Sequence, residues 1–413
     1  MKLFENSLID FLEEILKFPL TTVTEEKTKV VVPDLSKYKR GDYVDPSWAP
    51  VFYNPVMKMC RDLSVAAILA YSKSYSPSSS VSVCEPLCAT GVRGIRYVTE
   101  TNVVEYLLLN DIDERAALIA VANTLLNSID DLADVFNLDA NILLALSRKF
   151  TRFNVVDIDP FGSPEPFIGS ALKAITHKGL LCLTATDLAP LTGAHRAACL
   201  RRYFSVTAKT DCGFEIASRI LYYGVIKHAA PLNMGVKPLL TFKGRHYIRC
   251  FLQIFKSRKA ADETISRIGY ALYCSKCGYR ELSRNTTTLK CRECGGQLEK
   301  IGPLWIGKIF DTAFCDEVLN EIKCLGLSKS LTMKLETILS ESDINKLYYT
   351  TENISRVIKM NEISPRVVVN ELIKRGFKAS LTHFDFKGFR TNASYNTLLK
   401  FIKDLSSLLH EIS

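Results

Sequence analysis

The chain has 413 residues, enough for two or three domains that each bury a core of their own. Hydrophobic residues at 47% and charged residues at 23% exclude disordered, collagen-like and coiled-coil classes. Lys+Arg 53 against Asp+Glu 44 leaves a net charge of +9, which favours a polyanionic partner without identifying it.

Residues 1 to about 18 carry Leu8, Phe11, Leu12, Ile15 and Leu16 at helical spacing and read as an amphipathic lead-in helix. Glu5, Asp10, Glu13 and Glu14 in the same stretch are incompatible with a secretory segment, so a cytoplasmic protein is expected. A strand-like Val30-Val31-Val32 follows, then a Pro/Tyr-rich segment to Pro55, and residues 1–50 are expected to form an extension. From Arg61 onward helix-sized segments alternate with short apolar runs: residues 81–84, 106–109, 135–138, 153–156 and 180–183. Such alternation indicates βαβ units, a mostly parallel sheet and an α/β, doubly wound domain over residues 51–265. The longest apolar run, 179–191, is interrupted by Asp187, so no membrane span and no membrane partner is expected. Residues 266–413 are expected to form a smaller α+β domain. In it, a cysteine-bearing segment (273–298) precedes a winged-helix-like segment (345–413). The latter has a helix near 364–377 ended by glycine and a strand pair turning at Lys387-Gly388.

Three strand ends carry polar residues in an order that suits a nucleoside pocket. After the first run, Val83-Cys84-Glu85-Pro86-Leu87-Cys88-Ala89-Thr90-Gly91-Val92-Arg93-Gly94 opens a helix, where glycines let backbone approach a ligand at the helix amino terminus. It lacks the full dinucleotide glycine pattern, and a plain strand-to-helix turn would also explain it. After the second run stands Asn110-Asp111, whose carboxylate can accept both ribose hydroxyls; the competing reading is that Asp111 or Asp113 caps the next helix. Asp139-Ala140 holds the corresponding place after the third run, where a carboxylate can meet an adenine amino group.

After the fourth run comes Asp157-Ile158-Asp159-Pro160-Phe161-Gly162-Ser163-Pro164. An aromatic exocyclic amine is a poor nucleophile because its lone pair is delocalised, so it needs an acceptor for its N–H. The Asp159 carboxylate and the Pro160 carbonyl are such acceptors, and Phe161 can stack on the base. A simple Asp-Pro turn explains the first two residues but not the aromatic.

These motifs, with Val51-Phe52-Tyr53-Asn54-Pro55, Arg61-Asp62, Ala185-Thr186-Asp187, Thr192-Gly193-Ala194-His195, Cys199-Leu200-Arg201-Arg202-Tyr203 and Thr382-His383-Phe384, resemble the tRNA guanine-26 N2-dimethyltransferase family of archaea and eukaryotes. The likeness runs from about Val30 to the carboxyl terminus. It implies a Rossmann-like class I methyltransferase domain, S-adenosylmethionine as donor, and the exocyclic amine of a tRNA hinge guanine as acceptor. Tranferred by motif, Arg61 and Arg93 would contact the donor's amino-acid end, with Glu85 and Gly91 in the same cofactor-binding set. Asp111 would contact its ribose, and Asp139 with Ala140 its adenine. Asp159 would be the acid/base residue, and Phe161 with Phe52 would enclose the flipped guanine. Val56 and Arg196 depart from the arginine and proline that the family pattern implies at those places.

Thirteen cysteines are scattered mostly through apolar context, as reduced core thiols are. Cys274-Ser275-Lys276-Cys277 and Cys291-Arg292-Glu293-Cys294 are different. Two such knuckles, each followed by glycine, can close a tetrahedral Zn²⁺ site with no open position, hence a structural metal; a pair of redox dithiols is the alternative. Rival functions are an exocyclic-amine methyltransferase acting on DNA or another RNA, and a zinc-ribbon RNA-binding protein without turnover. No obligate protein partner is expected.

Overall fold

The apolar runs that alternate with helical segments fold as parallel strands. In the computed structural model, which describes residues 2–41, 43–76, 80–287 and 289–412, the chain divides into two units. One comprises Met1–Pro160, Pro166–Thr184 and Glu317–Leu331; the other comprises Phe161–Glu165, Ala185–Asp316 and Thr332–Ser413. Among the described residues, no helix is long and apolar enough to cross a membrane.

The first unit begins with α1 (Lys2–Leu16) and the antiparallel pair β1 (Leu20–Glu25) and β2 (Thr28–Pro33). It continues through α2 (Lys58–Ser74), β3 (Val81–Glu85), α3 (Val92–Thr101), β4 (Val104–Asn110), α4 (Glu114–Leu126), β5 (Ala133–Phe136), α5 (Ala140–Ser147), β6 (Phe153–Ile158), α6 (Glu165–Ala174) and β7 (Ile175–Ala185). The parallel strands lie in the order β5-β4-β3-β6-β7. The order reverses beside β3, so the carboxyl ends of β3 and β6 flank the crevice where ligands bind in open α/β sheets. Val83, Leu107, Leu109, Val155, Val156 and Leu181 are buried, as strands covered on both faces require.

The amino-terminal segment packs within this unit. Leu12, Val31, Ile119 and Ala122 share one apolar cluster. The Asn123 side chain accepts from Val31 N (2.6 Å) and donates to Val31 O and Thr90 O (3.0 and 2.9 Å), tying β2 to α4 and to the loop after β3.

The second unit contains α7 (Arg196–Tyr203), α8 (Gly213–Ala229), the antiparallel pair β8 (Met234–Lys243) and β9 (Ile248–Lys256), and a three-stranded sheet of β10 (Ile268–Tyr273), β11 (Arg280–Ser283) and β12 (Glu299–Trp305). Toward the carboxyl terminus follow β13 (Tyr349–Thr350), α9 (Thr351–Ile358), α10 (Pro365–Lys374), β14 (Ala379–Leu381), β15 (Gly388–Thr391) and α11 (Tyr395–Ile412). Strand, helix, helix and hairpin thus follow one another as the sequence suggests, with strand order β13-β15-β14. The hairpin turn differs from expectation. Gly388 already opens β15, and its N–H bonds Asp385 O (3.0 Å) across a turn over 382–387.

β8 and β9 pair directly, Met234 opposite Lys256 through Lys243 opposite Ile248.

Candidate active site

The loop from β3 into α3 is shaped by backbone that few side chains tolerate. Gly91 adopts φ +75°, and a Cβ at Gly94 would stand 2.7–2.9 Å from Leu109, Glu85 Oε2 and Leu107. Gly94 N instead donates to Glu85 Oε2 (2.9 Å), so the end of β3 caps the first turn of α3. At the second residue of α3, the buried Arg93 guanidinium ion-pairs with Asp159, donates to Ser64 Oγ (2.9 Å) and lies 3.6 Å from Glu85 Oε1. Burial pushes the Glu85 carboxyl up to about 8, against the pull of Arg93 and with the push of Asp157 and Asp159. Three carboxylates and one guanidinium therefore converge at the sheet's switch point.

Asp111 follows β4. Its two oxygens accept from Ala89 N (2.9 Å) and Asp113 N (3.0 Å), and burial raises its pKa. Capping of α4 falls instead to Asp113, which accepts from Arg115 N. Asn110, one residue earlier, donates to Pro86 O and Leu138 O and accepts from Leu138 N, all at 2.9–3.0 Å, and so binds the loops after β3 and β5 into one rim. Asp139 caps α5 through one oxygen, Oδ1, which accepts from Asn141 N and Ile142 N, and Ala140 beside it is buried. Between Ala89 and Gly91, the buried Thr90 hydroxyl has no hydrogen-bond partner among the described residues. An orphan hydroxyl and a desolvated carboxylate on one rim suit a polar nucleoside ligand.

Asp159 and Pro160 end the first unit, just beyond β6. The Asp159 side chain is 21% exposed and its partner Arg93 only 4%, so the carboxylate is the solvent-facing member of the pair. Behind it, Tyr97 Oη donates to Asp157 (2.6 Å), fixing the buried acid of the motif away from the opening. Phe161, which heads the second unit, is 72% exposed. Its loop is held by Gly162 N to Thr186 Oγ1 (2.8 Å), Thr186 N to Gly162 O (3.0 Å), and a Ser163–Tyr203 hydroxyl pair at 2.7 Å. Phe52, in the first unit, is half-buried. Arg61, on α2, pairs with β1. Its Nε donates to Glu25 (2.8 Å) and its Nη2 to Glu25 and Asn54 O, within a buried network that also joins Arg96, Asp62 and Glu100.

In the second unit the Sγ atoms of Cys274, Cys277, Cys291 and Cys294 lie within 4.8 Å of one another. Cys274–Cys294 and Cys277–Cys291 are 3.5 and 3.6 Å apart, near the roughly 3.8 Å edge of a tetrahedron with Zn–S bonds of about 2.3 Å and far from disulfide contact. Gly278 (φ +80°) and Gly295 (φ +67°) donate to Cys274 O and Cys291 O, making two matching knuckles. The donor set fits zinc, and four thiolates leave no coordination position for chemistry.

Sequence reading gave no role to Ser64, Thr90, Asn110 or Tyr203, although the last three lie in motifs quoted above. Only Asn110 offered a signal, as the polar residue beside Asp111 at a strand end; the others acquire partners solely through folding.

The chain matches the family model for N2,N2-dimethylguanosine tRNA methyltransferase over residues 26–403. It is 33% identical over 396 residues to the tRNA (guanine(26)-N(2))-dimethyltransferase of Methanobrevibacter smithii, covering 95% of this chain and 99% of that protein. The enzyme of that name from Metallosphaera sedula is 35% identical over 397 residues, with the same coverage. Among solved structures, Trm1 from Pyrococcus horikoshii in complex with S-adenosyl-L-methionine is 31% identical, with a TM-score of 0.80 over 92% of this chain and 99% of that one. A family match over residues 26–403 and 33% identity over 95% of the chain place it in the N2,N2-dimethylguanosine tRNA methyltransferase family.

Proposed function

We propose that the protein transfers methyl groups from S-adenosylmethionine to N2 of guanine 26 in tRNA, giving N2,N2-dimethylguanosine, and that it works in the cytoplasm. The observation that carries this reading is the Asp159 carboxylate at the switch point, held by Arg93 and followed at once by Pro160 and an exposed Phe161.

When bound, S-adenosylmethionine supplies an electrophilic methyl group whose leaving group is a neutral thioether. The residues supply position and proton acceptance. Asp111 would hold the donor's ribose and Asp139 with Ala140 its adenine, and Gly91 would let the donor approach α3. Arg93 and Glu85 close the end that receives its amino-acid portion. Arg61 would contact that same end, and it also ties α2 to β1 through Glu25. Asp159 accepts the N–H of guanine N2, and the Pro160 carbonyl is a second acceptor. Holding the amine there restores the nucleophilicity that delocalisation removes, and alignment accounts for most of the rate. Phe161 stacks on the extruded guanine, and Phe52 contributes a further aromatic face. A second round requires the monomethylated amine to return with its remaining N–H toward Asp159. The zinc ribbon maintains the second unit and takes no part in transfer.

The test is incubation of unmodified tRNA transcript with labelled donor, with and without guanine at position 26, followed by mass spectrometry of nucleosides. Dimethylguanosine only in the transcript that carries the guanine is expected. Methyl in adenine, in DNA, or in the transcript without that guanine would overturn the substrate. Loss of donor binding with intact tRNA affinity would overturn the enzyme.

A further inference from the structure

Phe204 is the carboxyl cap of α7 and adopts φ +54°, ψ +33°, a left-handed conformation that crowds a bulky side chain. Burial of the ring would offset the strain, yet Phe204 is 61% exposed. Strain retained at an exposed aromatic points to a use for the ring.

What holds the strain is visible in its neighbours. Tyr203 is buried, hydrogen-bonds Ser163 Oγ at 2.7 Å and donates to Asp187 Oδ1 at 2.8 Å; Arg202 Nη1 donates to the other Asp187 oxygen at 2.9 Å. Lys227 Nζ stands 4.5 Å from the Phe204 ring centroid and also ion-pairs with Glu165. Two independent routes, Tyr203 to Ser163 and Lys227 to Glu165, therefore fix Phe204 to the short loop that begins with Phe161. Leu200 and Val206, also exposed, extend its apolar surface, and Arg201 and Arg202 add cations on the same short helix. An exposed ring with a cation over one face and arginines nearby is the arrangement by which proteins stack unpaired bases and hold their phosphates.

We infer that Phe204 is a stacking platform for an unpaired tRNA base next to the guanine that is methylated, with Arg201 and Arg202 at its phosphates. This rests on the tRNA reading above. Phe161 serves the reacting base and Phe204 its neighbour, so the enzyme reads two splayed nucleotides rather than one.

The experiment uses the full chain and a full-length tRNA transcript. Phe204→Gly removes the ring and suits the left-handed backbone, so the melting temperature should stay or rise while tRNA affinity falls about tenfold. Donor affinity should not change, and Phe204→Trp should restore tRNA binding. Transcripts with an abasic residue on either side of the hinge guanine locate the stacked base. One of them should bind the unsubstituted protein about tenfold more weakly and Phe204→Gly no more weakly still. Binding of native tRNA by Phe204→Gly within twofold of the unsubstituted protein, or losses that multiply for both abasic transcripts, would overturn the inference. A protein that binds tRNA but transfers no methyl would overturn the methyltransferase reading, and the binding ratios would still decide the role of Phe204.

Discussion

Replacing Asp159 by asparagine separates a proton acceptor from a mere counter-ion. Asparagine keeps the shape and one acceptor oxygen but removes the charge that faces Arg93. Breaking a fully buried ion pair costs about 3–5 kcal/mol because one charge is stranded. Here the cost is smaller. Asp159 is 21% exposed, and Arg93 keeps Ser64 Oγ at 2.9 Å and Glu85 Oε1 at 3.6 Å. We expect a loss of about 1–2 kcal/mol, a fall of a few degrees in melting temperature. The effect on chemistry should be much larger. Loss of a positioned acid/base group lowers the rate by about 10²–10⁴, or roughly 3–5 kcal/mol of barrier. Donor binding should survive, since Asp111, Asp139 and the Gly91 loop are untouched. The assay is single-turnover methyl transfer to tRNA at saturating donor, with melting curves and donor calorimetry on the same preparation. Turnover by Asp159→Asn within threefold of the unsubstituted protein would refute the reasoning. A loss of transfer that merely tracks the unfolded fraction would refute it equally.

Gly94→Ala places a Cβ within 2.7–2.9 Å of Leu109, Glu85 and Leu107, so it should cost about 1–3 kcal/mol in urea unfolding; a change under 0.5 kcal/mol would show that the loop relaxes freely. Glu85 has a folded pKa near 8 against an ordinary 4.5, so the folded state holds a proton that the unfolded state releases. Its contribution is present below about pH 4.5 and is lost as pH rises toward 8, on the order of several kcal/mol. Stability curves of Glu85→Gln should therefore fall less steeply over that window than those of the unsubstituted protein, and parallel curves would count against it. Zinc should be found at one ion per chain by colorimetric release. Cys291→Ser should lower the melting temperature, because Cys277 and Cys291 pack in one cluster with Leu272, Tyr349, Phe389 and Leu398, and should leave donor affinity unchanged.

Local chemistry made much of the architecture legible. Runs such as Val81-Ser82-Val83-Cys84 and Leu107-Leu108-Leu109 could only be buried strands between helical segments, and those strands are parallel. The cysteine knuckles were readable because zinc geometry fixes their spacing, and their sulfurs do gather. Two features lay beyond that reading for one reason. The hairpin of β8 and β9 and the packing of residues 1–50 depend on which partner a segment finds, and period alone does not encode a partner.

The candidate site divides along the same line. Residue type and position at strand ends named Glu85, Asp111, Asp139 and Asp159, since only a carboxylate does what those places require, and a glycine fixes the backbone beside them. Charge pairing was invisible. Arg61 and Arg93 look alike in sequence, yet one is committed to Glu25 and the other to Asp159. Thr90 becomes notable as a buried hydroxyl without a hydrogen-bond partner among the described residues, and Phe204 takes its left-handed conformation beside Tyr203, which bonds Ser163 and Asp187. Composition and spacing determined the chemistry that this chain carries. Which cation neutralises which anion, and which aromatic is left in solvent, was decided by contacts between residues 30 to 100 positions apart, and those contacts exist only in the folded chain.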